Sequence, residues 1–223
     1  PEGELVTQML ATAALSSRSG ADLEQYMQTL SGMGIESKTD QVFRALGRSL
    51  PGWVLPAGAG GEGASYPMAA SRSAEAMRQI VAIAQSPAEG LARYTEMVQA
   101  AIQQFNEGRL AQAFAILEIA RRLVAEKKVD AEGARLVGSR AHESLSSECL
   151  LGFAEKSEMH MLLSSVLNFF PAYSVMGLLS VLDGEKTRER RRLFLALLEA
   201  HGAPARVAAL EQMEERLAAG DPD

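Results

Sequence analysis

The sequence predicts an all-α protein, and three observations predict it. Ala and Leu dominate a chain of 223 residues that is 47% hydrophobic but only 5% aromatic, with β-branched runs nearly absent. Apolar residues recur every three or four positions through most of its length. The loops between these stretches are mostly a few residues long, so neighbouring helices are expected to pack as antiparallel hairpins.

Three short helices are expected within residues 1–50, forming a small N-terminal helical element. Leu5, Val6, Met9, Leu10 and Ala13 make one stripe; Leu23, Tyr26, Met27 and Leu30 make the next; Val42, Phe43 and Leu46 follow Thr39. The turn Ser31-Gly32-Met33-Gly34 separates the last two, its glycines suited to positive φ. Residues 51–72 then read as a flexible linker, because Pro51-Gly52 and the run Gly58-Ala59-Gly60-Gly61-Glu62-Gly63 resist regular structure. Trp53, the only Trp, lies in this linker. It is either an apolar plug that docks the N-terminal helices or an exposed anchor for a partner.

From residue 73 to residue 219 the helical pattern hardly stops, and it reads as one domain. Met77, Ile80, Val81 and Ala84 lead into a strong start signal at Ser86-Pro87-Ala88-Glu89: Ser as N-cap, Pro where a missing N–H costs nothing, Glu reaching back. Leu91, Tyr94, Met97, Val98, Ala101, Ile102 and Phe105 follow at helical spacing, Asn106-Glu107-Gly108 breaks the run, and a second stripe runs from Leu110 through Phe114 and Leu117 to Val124. Neither of these two helices can bury its stripe alone. Further helices are expected over 130–137 with Asp130 as N-cap, 139–154, 157–170 ended by Pro171, 175–182, 187–201 and 204–218. The last is striped by Val207, Leu210, Met213 and Leu217. The methionines, ten in all, are expected mostly in the core; if several line an exposed groove, that groove is a site for a partner helix.

Aligned on its turn, the hairpin residues Ala101, Phe105, Gly108, Leu110, Ala113, Leu117 and Ala120 resemble the small-and-aromatic pattern of a tetratricopeptide repeat. Pro171, Leu178, Leu179, Leu182, Asp183, Arg188, Arg192, Leu195, Leu198 and Gly202 resemble a HEAT repeat: an apolar helix, an acidic turn, an early Arg in the second helix and a closing Gly. The resemblance implies an irregular α-solenoid and a ladder of contacts between repeats involving Asp183 and Arg192. No second clean copy of either repeat is present, and the tetratricopeptide-like unit lacks the usual closing Pro. Both families are solenoids that bind other proteins along a concave face, so both resemblances imply a non-catalytic interaction or scaffold module.

A net charge of −6 argues against a general binder of nucleic acid or anionic membrane. One Cys excludes an intramolecular disulfide framework and fits a reducing, cytoplasmic setting. No apolar run reaches the roughly 20 residues of a membrane span, and residues 1–20 lack the pattern of a signal peptide. The first residue is Pro, which allows for a segment excised from a longer chain.

The strongest charge feature is Glu185-Lys186-Thr187-Arg188-Glu189-Arg190-Arg191-Arg192, five basic residues against two acidic. Arg188, Arg191 and Arg192 share one helix face and, with Arg190, form a candidate partner surface for an acidic peptide or a phosphate. The plain alternative is a solvated face on which Glu185 and Glu189 pair with them. Nucleic-acid or phospholigand binding through this cluster is the second functional reading. His142, Cys149 and His160 are too scattered for a metal site; structural histidines and a buried, inert thiol are expected instead. His142-Glu143 beside Ser144, Ser146 and Ser147 fails as a nucleophile site because consecutive helical residues diverge. Gly58 to Gly63 lack the Lys and following helix of a phosphate loop. No enzyme activity, cofactor or metal is therefore expected. Another protein is the expected partner, and self-association stays open because an unfinished solenoid exposes an apolar end.

Overall fold

A computed structural model describes residues 39–48 and 72–219, together with Met9, Thr12, Ala13, Gln25, Tyr26, Thr29 and Leu50; the side chains at 72 and 217–219 are not described. Apart from those isolated positions, the first two expected helices lie outside the described residues, as do 51–71 and hence Trp53. The described residues form ten α-helices and no strand, so the all-α expectation holds. The chain divides into two compact units between Val137 and Gly138.

The first unit contains α1 (Thr39–Arg48), α2 (Arg72–Ala82), α3 (Pro87–Asn106), α4 (Leu110–Ala125) and the start of α5 (Ala131–Ala141). α4 packs back on α3, and α1 and α2 pack against this pair. Their stripes supply the core: Phe43, Met77, Met97, Val98, Phe105, Ile116 and Leu123 are fully buried, each worth about 1.5–3 kcal/mol if apolar transfer alone is considered. The third helix of the N-terminal element is thus a working part of this core. Thr39 Oγ1 donates to Glu96 of α3, and Arg78 of α2 donates to both carboxylate oxygens of Glu126 at 3.0 and 2.8 Å.

The start of α3 follows from local chemistry. Ser86 Oγ accepts from Glu89 N at 3.2 Å, and the Glu89 carboxylate accepts from Gln85 N at 2.8 Å, one residue before the N-cap. At its other end Gly108 takes φ 80°, with Gly108 N donating to Phe105 O and Arg109 N to Gln104 O at 2.9 and 2.8 Å. These are the two bonds of a Schellman motif, and they fix the reversal into α4. α4 ends with the same pair of bonds, but there Lys127 occupies the left-handed position at φ 57°. Asp130 Oδ2 accepts from Gly133 N at 2.7 Å and caps α5.

The second unit contains the end of α5, α6 (Ser147–Ala154), α7 (His160–Leu167), α8 (Val175–Leu182), α9 (Arg188–His201) and α10 (Ala203–Ala219). α9 packs on α6, α7 and α8, and α10 packs on α8 and α9. Leu150, Leu163, Leu167, Phe170, Leu178 and Leu197 are fully buried. The helix expected over 139–154 is instead broken: a 3-10 turn at His142–Ser144 leads to extended Leu145, and Ser146 caps α6 by accepting from Cys149 N at 3.3 Å. Ser and His in succession offer local alternatives to helical bonding, and the serine cap wins. Cys149 is consequently half-buried rather than buried.

α8 starts from a tight turn. Ser174 Oγ accepts from Gly177 N at 3.2 Å, and a Cβ at Gly177 would lie 2.4 Å from Pro171 O and 2.8 Å from Ala172 O. At the end of α9, Gly202 adopts φ 67° and ψ −129°, a region open in practice only to Gly. The chain there bends by 115° into α10.

Candidate functional site

Thr187 is the N-cap of α9, and four arginines occupy the first five positions of the helix. The turn ahead of it is organised by Glu185, whose side chain is only 9% exposed. Its Oε1 accepts from Thr187 N at 2.9 Å, its Oε2 pairs with Arg190 at 3.2 Å, and its main-chain oxygen accepts from Arg191 Nη1 at 3.2 Å. The Thr187 donors, aided by Arg190, hold the Glu185 carboxyl below the usual carboxylate range. Arg190 also lies over the Phe194 ring, 5.5 Å from its centroid. Arg192 turns to Glu155 at the end of α6, at 3.1 Å.

The four arginines are therefore not equivalent. Arg190 and Arg192 have carboxylate partners, whereas among the described residues Arg188 and Arg191 make no ion pair. All four are exposed. Lying three apart, Arg188 and Arg191 share a face and, with only Glu189 in the same turn, give the helix start an excess of positive charge. Glu185, expected to pair with them along the helix, acts from the preceding turn.

Asp183 and Arg192 each contact a helix outside the α8–α9 hairpin, Arg192 through Glu155. Asp183 pairs with Arg216 of α10 and accepts from Gln212 at 3.5 Å. Leu195, grouped with the apolar pattern, is 53% exposed.

Each histidine is committed to a main-chain carbonyl: His142 Nδ1 to Ser139 O at 2.8 Å, His160 Nε2 to Ala154 O at 2.7 Å and His201 Nε2 to Tyr173 O at 2.9 Å. Two of these carbonyls lie in the last turns of α5 and α6, where carbonyls lack intrahelical donors. Burial pushes the His201 imidazole below its ordinary value, against the carbonyl that favours its charged form. Among the described residues no group of three or more His, Cys, Asp or Glu is arranged to hold a metal ion. In the first unit a cleft of about 840 Å³ is lined by Val81, Pro87, Val124 and Val129, with Ser86 and Asp130 beside them. The side chains of those last two are spent on helix caps.

The feature that periodicity misassigned is α10. Ala205 is buried and Ala208, Gln212 and Arg216 are half-buried, whereas Val207, Leu210 and Met213 are 55%, 55% and 53% exposed. Small and polar residues make the inward face, and the apolar stripe points outward. Of Leu217, expected in the same stripe, only the backbone is described. The spacing Ala205-Ala208-Gln212 was the available signal, since small residues permit the closer helix contact. No single helix among the described residues is long and apolar enough to cross a membrane.

Compared with known protein families, curated proteins and solved structures, the chain matches none.

Proposed function

We propose that this chain acts by binding rather than by catalysis, as a scaffold of stacked helical hairpins with an irregular solenoid arrangement that engages an acidic protein segment through the start of α9. One observation carries the reading. Four arginines and one acid, Glu189, fill the first five positions of α9, at the end of a helix where the macrodipole disfavours cations, and among the described residues two of the arginines, Arg188 and Arg191, make no ion pair. A sequence selected only for stability would place more acid there than the single Glu189; local rules are broken most often where a surface serves a partner. Guanidinium pairs three residues apart match carboxylates spaced along an extended or helical acidic peptide.

The same two guanidinium groups would accept phosphate, which keeps phospholigand binding as a second reading. The net charge of −6 weighs against long nucleic-acid tracks. Capture from lysate on the full chain, wild type beside Arg188→Glu/Arg191→Glu, with and without nuclease, separates the two. A protein that survives nuclease and is lost with the double variant supports the acidic-partner reading. Recovery that nuclease abolishes, with steep salt dependence, replaces it with the phosphate reading.

A further inference from the structure

We propose that α10 docks against α10 of a second copy of this chain, antiparallel and centred on Leu210. The inference rests on reading the chain as an interaction module and names the occupant of a different surface from the α9 arginines. α10 is held to its own unit by one face only: buried Ala205, half-buried Ala208, and Gln212 and Arg216, which both reach Asp183. Val207, Leu210 and Met213 form a second, opposite face that is more than half exposed. A water-facing apolar stripe on a helix already anchored by its other side is the form an interface takes.

The charges beside the stripe select the occupant and its direction. Arg206 and Glu214 are both exposed and, among the described residues, neither makes an ion pair. Each stands four residues from Leu210, on the two sides of it. In an antiparallel two-fold pair, residues equally distant from the axis meet. Val207 then packs on Met213 of the second copy, Leu210 meets Leu210, and Arg206 meets Glu214 twice over. A parallel pair would instead set Arg206 against Arg206 and Glu214 against Glu214. A lipid surface fits less well, because Glu211, Glu214 and Glu215 crowd the C-terminal half of the helix and anionic headgroups repel them. A helix of 17 residues is about 26 Å long. Such a contact buries less than a standard interface, so dimerisation is expected to be weak, with a dissociation constant on the order of 10–500 µM.

Analytical ultracentrifugation of the full chain up to roughly 1 mM at low salt tests this. The wild type should show a reversible monomer–dimer equilibrium. Arg206→Glu and Glu214→Arg should each weaken it by about tenfold, since both symmetric pairs turn repulsive. An equimolar mixture of the two variants should recover association as a hetero-pair, because each supplies the charge the other lacks. Leu210→Asp should be monomeric with an unchanged melting temperature. A wild type that stays monomeric throughout, a dimer indifferent to both charge reversals, or a mixture that fails to recover overturns the proposal. So does binding to phosphatidylcholine or phosphatidylserine vesicles that Leu210→Asp abolishes while the wild type remains monomeric in solution. Capture of an acidic partner by monomeric Leu210→Asp is read separately: its loss or retention bears on the α9 reading, not on the dimer.

Discussion

Asp183 at the end of α8 pairs with Arg216 on the inward face of α10, and Gln212, one turn earlier, donates to the same carboxylate. The two charged side chains are 47% and 41% exposed, so solvent screens the pair and its value is set by surface rules. Asp183→Ala should lower global stability by no more than about 1 kcal/mol. Its main effect should be local: faster hydrogen exchange across the amides of α10, with those of α9 unchanged. Equal acceleration in both helices would show that the pair supports the whole second unit.

The ends of α3 and α4 close with the same two main-chain bonds, yet one has Gly108 and the other Lys127 in the left-handed position. A side chain there costs on the order of 1 kcal/mol relative to Gly. Lys127→Gly should therefore stabilise the protein by about 0.5–1 kcal/mol, and Gly108→Ala should destabilise it by about as much. No atom lies within 4 Å of the position a Cβ would take at Gly108, so its cost is purely backbone strain. Urea unfolding of the two variants checks both signs at once.

Gly177 is constrained by contact rather than by backbone angle. The atoms that its Cβ would strike are the main-chain oxygens of Pro171 and Ala172, which cannot rotate away as a side chain would. Gly177→Ala should cost about 1–3 kcal/mol in chemical denaturation despite the better helix propensity of Ala. Gly152, in α6 and open on all sides, is the control: Gly152→Ala should be neutral or stabilising.

Burial pushes the Tyr94 phenol up to about 12, with Arg121 opposing the shift. The folded state thus favours the neutral phenol. Relative to an unfolded chain that ionises near 10, this contribution is intact below pH 10 and is lost as pH rises from 10 towards 12. Unfolding measured at pH 7 and pH 11 should show a smaller alkaline loss for Tyr94→Phe than for the wild type. Equal losses would place the phenol in contact with water.

What was legible in the sequence were the features that local bonding decides. Ser86 with Glu89, Asp130, and the break at Gly108 could be read because the side chains that satisfy a helix end lie within four residues of it. The stripes of α3 and α4 could be read from their period, but Ile116 and Ile119, off the α4 stripe, are buried as well, because α1 and α2 pack on that helix too. α10 could not: the period of 3.6 shows that Val207, Leu210 and Met213 share a face, but not whether that face turns inward, and Ala205 and Ala208 supplied a rival surface that packs closer. The arginine cluster was visible as a charge run, whereas its division was not. Arg192 reaches Glu155, 37 residues away, and no short-range pattern carries that pairing.

The division of labour among the α9 arginines is tested most directly by measuring thermal stability and partner capture together on Arg188→Glu/Arg191→Glu. Replacing unpaired cations in the first turns of a helix with acids relieves an unfavourable dipole interaction of about 0.3–1 kcal/mol per site. The one hydrogen bond lost, from Arg191 to the Glu185 carbonyl, is exposed to water. The expected result is a melting temperature equal to or above that of the wild type, with capture abolished. A clear fall in melting temperature with capture intact would contradict it and make the four arginines a structural feature of α9 alone.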